Sequence, residues 1–353
     1  MQKTRRNESA QYFTATSLPR PHNRILHCSA IAAIVCFFAL PNQLAAQATK
    51  KWTGDWAGYI LHASDQVPLV HPDAPFTIIE GQWVVPAALP TIDCSNPNEP
   101  VDGSSIWIGL DGWSATYKDP PEDGGNNDTD ILQAGTETDT DCYDIFNHPS
   151  YAYFWIQWDG TASIPVAPGH LYVPVPIGDL VYVRITVDTT TWQDATVYFE
   201  DKSPGGQTYT TTFHSGCLYN FCPPDPVVYA TVFGNTAEWV VESTFYADNQ
   251  HPNLPNTLDD FATTQMTYMK VTDINGTVYT PGNPGNDTKP QLDWMSWTGY
   301  GDITDPGNAL MACAAITDAQ TVTLYRAPFV IGAPGQQGNL EPKPTNCDGT
   351  PQP

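Results

Sequence analysis

Two short segments carry polar side chains where strand alternation would otherwise favour apolar ones. In DILQAGTE, residues 130–137, the primary amide of Gln133 shares a face with Ile131 and Gly135. In TAEWVVES, residues 236–243, Ala237, Trp239 and Val241 fall on one face, and Glu238, Val240 and Glu242 on the other. If the face with the glutamates lined a groove, burial would raise a carboxyl pKa and make the group usable as base and acid. A lone glutamate on a strand also suits a solvated edge or a cross-strand pair, so its company must decide.

Other reactive groups give weaker signals. The run TETDTDCYD, 136–144, offers Glu137, Asp139, Asp141 and Asp144 to calcium, but it lacks the glycine and distal glutamate of an EF-hand and reads better as a solvated acidic loop. His62, His71, His148, His170, His214 and His251 are scattered singly and suit structural roles. There is no HExxH, no GxSxG, no P-loop and no D-T-G or D-S-G pair. Hydrolysis here would need other groups, with no metal and no cofactor.

The elements that must position these residues are strands. Alternating or β-rich runs occur at 76–86, 104–113, 130–137, 151–158, 179–188, 194–201, 207–215, 236–243, 264–273 and 321–328. The 33 Pro and 26 Gly oppose long helices, and no segment keeps a helical period. Many strands without interleaved helices predict an all-β, antiparallel two-sheet β-sandwich or barrel in one domain, residues 49–332. The loops at 114–129, 244–262 and 281–290 read as surface insertions, and 333–353 as a flexible tail.

Residues 1–24 carry Lys3, Arg5, Arg6, Arg20 and Arg24 and precede the apolar run at 25–40, with the small-x-small AQA at 46–48. Residues 1–48 thus read as a signal peptide, and the chain as secreted, periplasmic or extracellular. Few residues separate that cut from Trp52, so a long pro-segment is not expected. Beyond residue 48, nine Lys and Arg stand against 37 Asp and Glu, a net charge of −28. Such a surface excludes nucleic acid and, once the signal is removed, anionic membrane. So few bases limit the positive charge that acid can build up, which suits a low-pH environment. Six cysteines remain, Cys94, Cys142, Cys217, Cys222, Cys313 and Cys347, and an even count in an exported chain favours disulfides.

The ordered set WAGYI (56–60), GQWVVP (81–86), IWIGLDGW (106–113), ILQAG (131–135), YFWIQW (153–158) and AEWVVE (237–242) resembles the glutamic peptidases called eqolisins, peptidase family G1. The resemblance implies a concanavalin A-like sandwich of jelly-roll type whose concave face binds peptide, with a catalytic Gln and Glu. Matched by motif, these are Gln133 and Glu242. Trp56, Trp107, Asp111, Glu137, Trp155 and Glu238 fall at positions that the resemblance assigns to substrate binding. This chain departs from the family pattern at Gln157 and Tyr153, where acidic residues are frequent, and less at Glu137, where Asp is common. The resemblance thus implies a secreted, metal-independent acid endopeptidase, acting on proteins or peptides as a monomer. The rival is a carbohydrate-binding or glycoside-hydrolysing sandwich, for which Glu238 and Glu242 would be the carboxylate pair.

Overall fold

The computed structural model describes residues 48–53, 56–63, 71–88, 102–112, 131–140, 151–158, 164–165, 173–214, 231–243, 258–296 and 310–326. All belong to one compact unit, Leu40–Pro353. The expected signal peptide up to Gln47, the tail and every cysteine except Cys313 lie outside the described residues. So do Asp141 and Asp144 of the acidic run.

The described regular elements are all strands. In chain order the first nine are β1 (Thr49–Thr53), β2 (Trp56–His62), β3 (Phe76–Val84), β4 (Asp102–Leu110), β5 (Leu132–Thr140), β6 (Tyr151–Trp158), β7 (Ile164–Pro165), β8 (Val173–Val175) and β9 (Leu180–Val187). There follow β10 (Asp194–Asp201), β11 (Thr208–His214), β12 (Thr236–Glu242), β13 (Thr263–Asp273), β14 (Val278–Tyr279), β15 (Lys289–Ser296), β16 (Leu310–Asp318) and β17 (Thr321–Arg326). The fold is all-β, as expected.

Hydrogen-bonded neighbours form two runs. One reads β6–β5–β4–β12–β2–β15–β1, with β7 and β8 on the far side of β6. The other reads β11–β10–β9–β3–β13–β17–β16, with the short β14 beside β13. Every pair is antiparallel except β1 with β15. The runs join where β15 pairs with β16 across a register shift at Met295 and Ser296.

Alternation explains why the two runs face each other. In β9, Val181, Val183, Ile185 and Val187 turn inward, and in β10 Ala195, Val197 and Phe199 do. From the first run come Ala57, Tyr59 and Leu61, Ile106, Ile108 and Leu110, and Ala237, Trp239 and Val241. The rings of Phe154 on β6 and Phe199 on β10 meet at 4.1 Å across this core. Buried indoles need an acceptor. Trp239 donates to the Glu80 carbonyl at 2.9 Å and Trp83 to the Thr136 hydroxyl at 2.8 Å, each bond tying one run to the other.

Four longer strands lie outside the runs predicted from sequence, among them β2, WAGYILH, which is buried on both faces beyond Trp56 and so shows no alternation. β15, KPQLDWMS, opens on Lys-Pro and buries Gln291 and Asp293, so its polar residues hide its alternation. β16, LMACAAITD, is rich in small residues that favour no strand pattern, and β1 is a charged parallel edge.

Candidate active site

In β12 every residue but Glu242 is buried: β2 and β4 flank it, one face packs into the core, and Val240 on the other packs with Trp107, Tyr153 and Trp155. Its odd-numbered residues face the core, so Glu238, Val240 and Glu242 lie on the opposite, outer face. The register then arranges that face in rows. One row is Gln291, Ile60, Glu238, Gly109, Gln133 and Gln157. The next is Asp293, Gly58, Val240, Trp107, Gly135 and Trp155. The third is Trp56, Glu242, Ser105, Glu137 and Tyr153. Seven of the eight residues expected at the site, all but Asp111, therefore share one face of the sheet.

Gln133 and Glu242 are two strands and four residues apart. With strands about 4.8 Å apart and a rise of about 3.3 Å per residue, their backbones are about 16 Å apart. Between them lies Trp107. Its Nε1 donates to Glu242 Oε2 at 2.9 Å, and its six-membered ring lies over Gly109. Trp56 stacks on Trp107 with ring centroids 5.6 Å apart and planes at 26°. Trp155 Nε1 donates to the Ser105 hydroxyl at 2.8 Å, so both indole N–H groups of the middle row point toward the Glu242 row. The Gln133 side chain is buried, and among the described residues its carbonyl oxygen has no hydrogen-bond partner. A buried acceptor left unpaired costs about 1–3 kcal/mol, a cost that functional sites tolerate.

The two glutamates of β12 differ. Glu238 is fully buried, and the Thr236 hydroxyl donates to its Oε1 at 3.1 Å, whereas Glu242 is partly exposed. Four residues of strand separate them by about 13 Å. What sets them apart chemically is burial, since Glu238 is sealed from solvent and Glu242 is not.

Asp111, expected at the substrate surface, instead turns into the protein. Its φ is 62°, and its carboxylate accepts backbone N–H groups from Phe233 at 2.6 Å, Gly234 at 3.1 Å and Asn235 at 2.7 Å. It therefore clamps the segment that leads into β12. Burial pushes the Asp111 carboxyl up to about 6, against the backbone bonds from Asn235, Gly234, Phe233 and Thr236 that favour its ionised form.

Sequence reasoning missed Ser105, Gly109, Gln291 and Asp293 on the outer face. Alternation in SSIWIGLDGW and QLDW could have found them, since each lies an even number of residues from one already suspected or from another of the set. A Cβ on Gly109 would sit 2.8 Å from the Trp107 ring, and one on Gly135 would sit 2.2 Å from the Ile106 carbonyl oxygen, so these glycines let the indole lie flat on the sheet. Gly109→Ala is therefore expected to displace Trp107 from Glu242 and lower kcat by about 10- to 100-fold. Measured beside the unfolding temperature, an unchanged kcat would show that this seating is irrelevant. Among the described residues, no cluster of three or more His, Cys, Asp or Glu could hold a metal ion.

Two solved structures are similar to this chain. One is a Scytalido-glutamic peptidase with a peptide-based transition-state analogue, at 16% identity and a TM-score of 0.47, covering 77% of this chain and 98% of that one. The other is SCP-B, a member of the eqolisin family of peptidases in complex with the tripeptide Ala-Ile-His, at 15% identity and a TM-score of 0.45 with the same coverage. No curated protein sequence matches. The family model described as the Peptidase A4 family matches residues 54–291, a span that holds both segments with which the sequence reading began. The chain belongs to the Peptidase A4 family, the glutamic-type peptidases expected from its motifs.

Proposed function

We propose that the chain is an exported acid endopeptidase in which Glu242 and Gln133 act on one water molecule. The observation that carries this reading is a carboxylate oriented by an indole N–H, on the same face as a buried amide with an unpaired oxygen. Their backbones stand about 16 Å apart across Trp107, so bringing both groups to one water needs the two side chains to lean toward each other along the face.

Ionised Glu242 takes a proton from the water as its oxygen attacks the scissile carbonyl carbon. The Gln133 amide nitrogen donates to the developing oxyanion, and its carbonyl oxygen accepts from the water. Protonated Glu242 then delivers its proton to the leaving nitrogen, the C–N bond breaks, and the carboxylate is restored. An amide does not titrate, so Gln133 remains a donor throughout the acid range. Trp56, partly exposed and stacked on the buried Trp107, offers the substrate an aromatic surface beside the reacting groups. Gln157 neighbours Gln133 and Tyr153 neighbours Glu137, so the departures from the family pattern remove charge next to the site and shift substrate preference toward neutral side chains.

The disulfide at Cys313 supports an exported compartment, and the raised Asp111 pKa supports stability in acid. The test is digestion of unfolded casein at pH 2 to 5, with a chelator and an inhibitor of paired-Asp proteases in parallel. Cleavage indifferent to both additives is expected. Loss of cleavage with either one ends the reading.

A further inference from the structure

The outer face of the other run has a different chemistry. Of the nine Lys and Arg beyond residue 48, Arg184, Lys202 and Lys270 gather here, on a chain whose remaining surface is strongly acidic. One row across β10, β9, β3 and β13 reads Tyr198, Arg184, Glu80 and Lys270, and the adjacent row reads Glu200, Tyr182, Gln82 and Thr267. The Tyr182 ring meets those of Tyr198 and Tyr268 edge-on, both at 5.9 Å. The Arg184 guanidinium lies 5.6 Å from the Tyr198 ring centre, and the Lys202 ammonium 4.8 Å from that of Tyr182.

The acids on this face are already engaged. Glu80 accepts from the Tyr182 hydroxyl and pairs with Lys270 at 2.8 Å, and Glu200 accepts from the Tyr198 hydroxyl at 3.3 Å. Arg184 and Lys202 remain as exposed cations seated on tyrosine rings. A second observation is independent of charge. β13 shifts register between Thr267 and Lys270, and within that bulge Tyr268 takes φ 54° and is 42% exposed. A bulky residue in the left-handed region is strained, and bulges re-aim side chains at functional edges.

We infer that this face docks the protein on an acidic polysaccharide, a polymer of carboxylate-bearing sugars. Arg184 and Lys202 receive the sugar carboxylates, Tyr268 stacks on the apolar face of a ring, and Gln82 with the threonine hydroxyls of β11 bonds the sugar hydroxyls. Charge complementarity selects the occupant, because a polyanion finds this island and is repelled elsewhere. Duplex nucleic acid fits poorly, since it carries a charge about every 1.7 Å, denser than two cations can meet, whereas the sugar polymer carries one carboxylate per ring. The site lies on the run that does not carry Gln133 and Glu242, so docking leaves the proposed catalytic face open.

The test is retention of the full chain on immobilised polygalacturonate at pH 5 and low salt, against its methyl-esterified form, dextran and single-stranded DNA. Wild type is expected to bind polygalacturonate alone and to be released by salt. Arg184→Ala with Lys202→Ala, and separately Tyr268→Ala, should each weaken binding by about tenfold or more at an unchanged unfolding temperature. Absence of wild-type retention, equal retention by the esterified polymer or dextran, preference for DNA, or variants that bind like wild type would each overturn the proposal. Peptide hydrolysis is not read here, so failure of this inference leaves the peptidase reading untouched, and the reverse holds too.

Discussion

Glu242→Gln is expected to lower kcat on a denatured protein substrate by about 10²- to 10⁴-fold at acid pH, with little change in KM. The substitution keeps the side chain's shape and its contact with Trp107 but removes the group that takes and returns the proton. Gln133→Ala, which deletes the oxyanion donor, should cost about 10²- to 10³-fold. The double variant should lose less than the product of the two, because residues that act on one water fail together. The rows supply a sharp rival outcome. Glu238 lies in the same row as Gln133, so if Glu238→Gln abolishes turnover while Glu242→Gln keeps it within about threefold, the base has been placed on the wrong carboxylate.

The second large effect concerns Asp111. Asp111→Ala would leave three N–H groups of the segment before β12 without their acceptor, one buried and two part-buried, a loss of about 3 kcal/mol at about 1–3 kcal/mol each with partial relaxation. The pH dependence is more specific. The folded-state pKa of about 6 lies above the ordinary carboxyl value of 3.8, so the folded protein holds a proton that the unfolded chain releases. The stability from this group is full below about pH 4 and is lost as pH rises through about 6, a change of about 3 kcal/mol. Wild type should accordingly melt at a lower temperature at pH 7 than at pH 4. In Asp111→Asn that difference should shrink. A wild type equally stable at both values, or an Asn variant with the full difference, would show that Asp111 stays ionised in the folded protein.

Much of this was legible in the sequence because period-two alternation is read without knowing the partners of a strand. β9 announces itself by Val181, Val183 and Ile185 against Arg184 and Thr186, and β10 by Ala195, Val197 and Phe199 against Thr196, Tyr198 and Glu200. Alternation also put Glu238 and Glu242 on one face, and the motifs named the family. What alternation cannot supply is register. Nothing in the local pattern says that Gly109 stands between Glu238 and Gln133, or that Trp107 reaches across to Glu242. Asp111 was misplaced for a related reason. Its partners Phe233, Gly234 and Asn235 lie more than a hundred residues away, so the local sequence shows only an acidic residue beside a glycine. Among the strands left unread, β15 and β16 are those whose inward or hidden residues are polar or small, and β2 is buried on both faces.

The place of β12 between β2 and β4 has a consequence for biosynthesis. Glu242 is made 109 residues after Gln133, and its strand must slot between two partners that precede it in the chain. Such non-local pairing forms late and slowly. A nascent or unfolded copy therefore lacks the assembled pair, and cannot digest itself or its neighbours until the inserted strand is in place.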